Sequence, residues 1–145
     1  MGICILIVAI IIFPLLSNKE TVRHDYLFTG ESEHWQGEYV HKGTDIWREK
    51  NKQITLSSES NYTMRLIYKG ALSELASVKK MSYTYKAPHG NGSHTMEFDE
   101  PPTNKIYTDS GASTSSATIN TDEVVEITVK WDTFEESFKL VKNGK

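Results

Sequence analysis

The stretch Val125–Leu140, VEITVKWDTFEESFKL, decides the fold class. Val125, Ile127, Val129 and Trp131 alternate with Glu126, Thr128 and Lys130, and Phe134, Glu136, Phe138 and Leu140 take up the alternation after the polar break Asp132-Thr133. A period of two puts successive side chains on opposite faces of an extended chain, whereas a helical stripe recurs every 3.6 residues. Two such runs around a short polar break predict a β-hairpin. The same period recurs in Tyr62, Met64, Leu66 and Tyr68, in Met81, Tyr83 and Tyr85, and in Trp35, Gly37 and Tyr39. Ile54 with Leu56, and Ile106 with Thr108, mark shorter candidates. Aromatic and β-branched residues at this spacing suit a half-buried pleated surface.

Beyond the first residues, no window carries a helical period over more than three turns. Ala71–Val78, with Leu72 and Leu75 three apart, allows one helical turn between strands. Gly, Pro, Asn and Ser collect in Pro88–Ser93 (PHGNGS), Asp99–Asn104 (DEPPTN) and Asp109–Ser116 (DSGASTSS), which read as loops. Eight or so short strands with this punctuation indicate an all-β sandwich or barrel. The expected architecture for residues 18–145 is a single antiparallel, Ig-like β-sandwich that follows an N-terminal apolar helix.

That N-terminal segment is Ile3–Leu16, ICILIVAIIIFPLL, which has no charged residue. It is short for a membrane span, which takes about 20 apolar residues, and matches the apolar region of a secretory signal. No Lys or Arg precedes it, and no small-x-small cleavage site follows in Leu15-Leu16-Ser17-Asn18, so an uncleaved anchor and a cleaved signal both fit. Residues 1–17 are read as signal peptide or anchor, with membrane contact through residues 3–16. Lys19 and Arg23 flank only the C-terminal side, which by the positive-inside rule favours a cytoplasmic domain. A short apolar leader at the start of the chain favours export, and the expected location is the cell membrane with an extracellular domain, or secretion.

At 145 residues the chain has room for one domain, and the formal net charge of −3 falls wholly beyond Leu16. A mildly acidic, mixed surface lacks the concentrated basic face that nucleic acid requires. The single cysteine, Cys4, lies in the leader. The folded part therefore excludes disulfides, cysteine zinc sites and cysteine nucleophiles.

Phe28–Tyr39, FTGESEHWQGEY, together with Tyr68-Lys69-Gly70, Leu72-Ser73-Glu74-Leu75, Val78-Lys79-Lys80, Phe98–Thr103 (FDEPPT) and Thr128-Val129-Lys130-Trp131, resembles small secreted proteins and lipoproteins of bacilli. That family is functionally uncharacterised, so the resemblance implies an envelope protein and no site residues. The chain departs from the lipoprotein members because no cysteine follows its apolar run.

Two candidate sites emerge. Trp35 and Tyr39 share a strand face and would form an aromatic platform for a glycan or peptide, or else pack in the core. His89 and His94 flank a loop with Glu97, Asp99 and Glu100 just beyond, a donor set for Zn²⁺. No G-x-S-x-G, H-E-x-x-H or P-loop motif is present, and Asp99 and Glu100, adjacent on an extended chain, would face opposite ways. The expected function is a non-catalytic binding module of the cell envelope, without a cofactor, whose partner is a protein or a wall component. The alternative is a hydrolase or metal-binding protein with its site in the His89–Glu100 region.

Overall fold

The computed structural model describes residues 18–88, 90–114 and 123–144. Eight strands follow in order: β1 (Lys19–Glu31), β2 (Trp35–Lys50), β3 (Gln53–Tyr68), β4 (Lys80–Ala87), β5 (Gly90–Glu97), β6 (Ile106–Ser113), β7 (Val124–Trp131) and β8 (Phe134–Lys142). One 3-10 turn, Leu72–Leu75, lies between β3 and β4, where a helical turn was expected. All the strand pairings are antiparallel and form one sheet of order β5-β4-β7-β8-β1-β2-β3-β6.

The all-β antiparallel expectation holds, and the β7–β8 hairpin pairs Trp131 with Phe134 around Asp132-Thr133. Asp132 sits at a φ of 50°. The second tight hairpin joins β2 to β3 through Asn51 and Lys52, at φ 53° and 62°. Positive φ at both central residues is the mark of a type I′ turn, whose twist matches that of paired strands.

The two-sheet sandwich is not confirmed. The ladder is continuous through eight strands, and the sheet curls until its end strands β5 and β6 meet through side chains, nearly closing a barrel. Inward rows supply the core: Phe28, Trp35, Tyr39, Met64, Leu66, Tyr83, Tyr85, Val125, Ile127, Val129 and Leu140 are all buried. Outward rows are polar, with Ser82, Thr84 and Lys86 on β4 beside Glu126, Thr128 and Lys130 on β7. Close packing across the interior explains Gly37, since a Cβ there would lie 2.7 Å from Ile127 Cδ1 and 2.9 Å from Leu140 Cδ2.

Two segments read as loops are strands. β5 takes in Gly90-Asn91-Gly92-Ser93, and β6 runs from Ile106 to Ser113. Their glycines are seats for tyrosine rings. A Cβ on Gly92 would lie 2.3 Å from the Tyr85 ring, and one on Gly90 or Gly111 would strike Tyr62. A ring laid over a strand glycine supplies the packing that the glycine lacks. The expected N-terminal helix and the membrane segment 3–16 lie outside the described residues, among which no helix is long and apolar enough to cross a membrane.

β1, β2 and β3 outrun the rest. β8 pairs with β1 only at Phe28 and Thr29, and β6 pairs with β3 only from Ser60 onward. Among the described residues, the segments Lys19–Asp25, Gly43–Lys50 and Gln53–Glu59 therefore pair with one another alone, as a three-stranded wing beyond the barrel.

Candidate functional site

The inward row of β8 runs Leu140, Phe138, Glu136, Phe134, and it leaves the core along the way: Leu140 is buried and Phe134 is 61 % exposed. Glu136 stands at this mouth of the barrel, opposite the turn between β1 and β2. Its carboxylate accepts the Ser32 hydroxyl at 2.5 Å and the His34 backbone N–H at 3.2 Å, and His34 Nδ1 lies 2.5 Å from Oε1. Lys69 holds the same turn, donating from Nζ to the Ser32 carbonyl at 3.1 Å and from its amide to the His34 carbonyl at 2.8 Å.

The hydrogen bond that His34 donates to Glu136 raises the His34 pKa, against the opposing effect of burial, and the charges of Glu136, Glu33 and Glu74 add to the rise. Burial alone would raise Glu136, but hydrogen bonds from Ser32 and His34 carry it below its ordinary value. The His34 ring stacks on Tyr68 at 6.3 Å and meets Trp131 edge-on at 5.7 Å. Phe134 stacks on the outer side of Trp131 at 5.5 Å. The mouth is thus a fixed aromatic surface with positioned acidic groups.

A second cluster closes the barrel seam. Tyr85 of β4 donates its hydroxyl proton to Asp109 of β6 and shares a 3.2 Å hydrogen bond with the Tyr62 hydroxyl. His94 of β5 pairs with Asp109 at 3.0 Å and stacks on Tyr83 at 5.2 Å. Burial raises the Tyr85 hydroxyl, and the bond to Asp109 raises it further. Burial would also raise Asp109, but hydrogen bonds from Tyr85, His94 and the Ser110 amide hold it below the usual carboxylate range.

The third cluster ties the wing together. Ser58 of β3 donates to Asp45 of β2 at 2.6 Å, and His24 of β1 lies 2.9 Å from the other oxygen of that carboxylate. The Ser58 hydrogen bond leads in lowering the Asp45 pKa, with His24 assisting and burial opposing.

All three clusters share one order: hydroxyl, carboxylate, imidazole. In a hydrolytic relay the imidazole must stand between hydroxyl and carboxylate, so that it can take the proton of the nucleophile. Here the carboxylate occupies the middle and receives both donors. Each cluster also sits where the ladder needs support: at a turn, at the seam, and in the wing.

The expected site residues are distributed differently. Trp35 and Tyr39 are both 0 % exposed, so neither ring offers a face to a glycan or peptide. Trp35 instead packs edge-on against Tyr68 at 5.1 Å and Trp131 at 5.7 Å, and Tyr39 stacks on Tyr62 at 5.3 Å. The hydrophobic gain of two large rings on an inward row outweighs a surface role. His89 lies outside the described residues. His94 faces the Asp109 clasp, while Glu97 sits on β5 and Asp99 and Glu100 lie beyond it, so no cation cradle forms around His94 among the described residues.

Among the described residues, the group that does bring three such donors together is Glu33, His34 and Glu136, whose ligand atoms lie within 4.8 Å of one another. Sequence reasoning missed it because Glu136 is 102 positions from His34. The only available signal was Glu136 itself, an acid on the otherwise apolar inward row of the deciding hairpin. No protein-family model matches this chain, and no curated protein and no solved structure matches it.

Proposed function

We propose that this chain is a non-catalytic binding module of the cell envelope, held at or exported through a membrane by residues 3–16. Its binding face is the mouth formed by His34, Trp131, Phe134 and Glu136. The observation that carries the reading is Phe134, 61 % exposed and stacked on Trp131 beside a turn that Glu136 holds rigid. An exposed ring on a preorganised aromatic base, rimmed by acids, is the anatomy of a binding hot spot. The hydroxyl–carboxylate–imidazole order of the histidine clusters supports a structural rather than a hydrolytic use of these groups. The resemblance to secreted proteins of bacilli and the apolar leader support the envelope location.

The test places a photoreactive phenylalanine analogue at Phe134 in the full chain, in intact cells, with Thr84 on the outer wall as the control position. A discrete adduct from position 134 alone, abolished by Glu136→Gln, is the expected result. Equal labelling from both positions, or none from either, sinks the proposal.

A second reading, metal binding, moves from His94 to Glu33, His34 and Glu136, because these ligand atoms are the ones that converge. Binding to the folded state must stabilise it. Excess Zn²⁺ would raise the Tm of the wild type and not that of His34→Ala. Equal Tm values with and without metal end this reading.

A further inference from the structure

The inward face of the barrel does not stop where the barrel does. On the wing it continues as Val22 of β1, Trp47 of β2, and Leu56 and Ile54 of β3, with Trp47 directly opposite Leu56 and Glu20. No strand stands across from this face among the described residues, and Trp47 is 41 % exposed and Ile54 70 %. Trp47 and Ile54 line an open groove with Asn18, Lys19, Glu20, Arg48 and Glu49. The groove therefore lies where the uncharged run Ile3–Leu16 joins the domain. The stretches that form the tip of the wing, 18–20 and 47–54, carry four cations, Lys19, Arg48, Lys50 and Lys52, and two anions, Glu20 and Glu49, the two acids on the Trp47 face, in a chain whose formal net charge is −3.

We infer that the tip of the wing is a membrane-contact surface, seating Trp47 and Ile54 in the interfacial layer while the basic side chains meet anionic headgroups. This rests on the reading of residues 3–16 as a membrane segment. Tryptophan favours the boundary between headgroups and acyl chains, and lysine and arginine stems reach from apolar contact to the charged layer. The apolar run brings the tip to the bilayer, and the charge balance sets the preference for acidic lipid. The barrel mouth, with Glu136 at Ser32 and His34, lies at the opposite end of β1 and β2 from the tip and so faces away from the surface.

The experiment uses the full chain mixed with vesicles of phosphatidylcholine and phosphatidylglycerol, part of whose chains are brominated. Trp35 and Trp131 are buried, so the difference in emission between wild type and Trp47→Phe isolates Trp47. Expected are flotation with the vesicles and quenching of the Trp47 signal by bromolipid, at least twofold weaker when phosphatidylglycerol is left out or when Arg48→Glu, Lys50→Glu and Lys52→Glu are combined. Flotation with Trp47 open to aqueous iodide overturns the wing contact and leaves the membrane segment standing. Flotation with Trp47 shielded from both quenchers also overturns it, since the chain itself would then cover the groove. Failure to float overturns the membrane segment and the wing contact together.

Discussion

The barrel and the wing are made from the same three strands, yet different forces hold them. In the barrel half, β1, β2 and β3 lay Phe28, Trp35, Tyr39, Met64 and Leu66 into an interior where each is 0 % exposed. In the wing half, their inward positions are Glu20, Val22, His24, Asp45, Trp47, Ile54, Leu56 and Ser58 among others, with no opposing wall among the described residues. Packing does the work in the first, and a three-residue polar clasp together with backbone ladders does it in the second. A sheet can thus extend beyond its core for several residues, provided that a buried-side carboxylate is satisfied from both neighbouring strands.

The largest effect that would sharpen this contrast is Trp35→Ala. Emptying the space among Tyr68, Tyr107 and Trp131 costs about 3–5 kcal/mol, as truncation of core aromatics does. Denaturant titration should show a large drop in the unfolding midpoint. A loss below about 1 kcal/mol would mean that the barrel is not packed as described.

Next comes the seam. Gly92→Ala places a Cβ 2.3 Å from the Tyr85 ring, and overpacking of this kind costs about 1–3 kcal/mol. The matching variant Tyr85→Phe keeps the ring but strands Asp109 with one donor fewer, and it should raise the Asp109 carboxyl titration in an NMR pH series. An unchanged Asp109 titration would break the assignment of the seam to hydrogen bonding.

The mouth carries a pH signature. Glu136 is depressed below its ordinary 4.5 in the folded state, so its contribution is present above that value and fades as the pH falls through the folded pKa. His34 is raised above its ordinary 6.5, so its contribution is complete below 6.5 and disappears as the pH climbs through the folded pKa. The two windows overlap between about pH 4.5 and 6.5. Glu136→Gln should therefore cost most in that interval, about 1–2 kcal/mol, and less above pH 8. A Tm difference that does not vary from pH 5 to pH 8 would contradict the pairing.

The smallest global effect belongs to the wing. Asp45→Ala removes the clasp but no core, and the expected loss is below about 1 kcal/mol. Hydrogen exchange should nevertheless accelerate in 19–25, 43–50 and 53–59 and leave the β7–β8 hairpin unchanged. Uniform acceleration across the chain would show that wing and barrel unfold as one unit.

What the sequence determined by itself follows from its period. Alternation in Val125–Trp131 and Phe134–Leu140 specified strands, a hairpin at Asp132-Thr133 and an inward row, because side chains on an extended chain have only two directions to take. The lone Cys4 excluded thiol chemistry from the fold, because composition alone can do so. The glycine-rich stretches were misread as loops, since the rings that fill their gaps, Tyr62 and Tyr85, arrive from other strands. Alternation assigns a face but not a neighbour. It could not say whether eight strands would divide into two sheets or curl into one, nor that Glu136 would meet His34 and Asp109 would meet His94. Those pairings were decided by the tertiary structure, because curling the sheet joins strand ends that lie far apart along the chain.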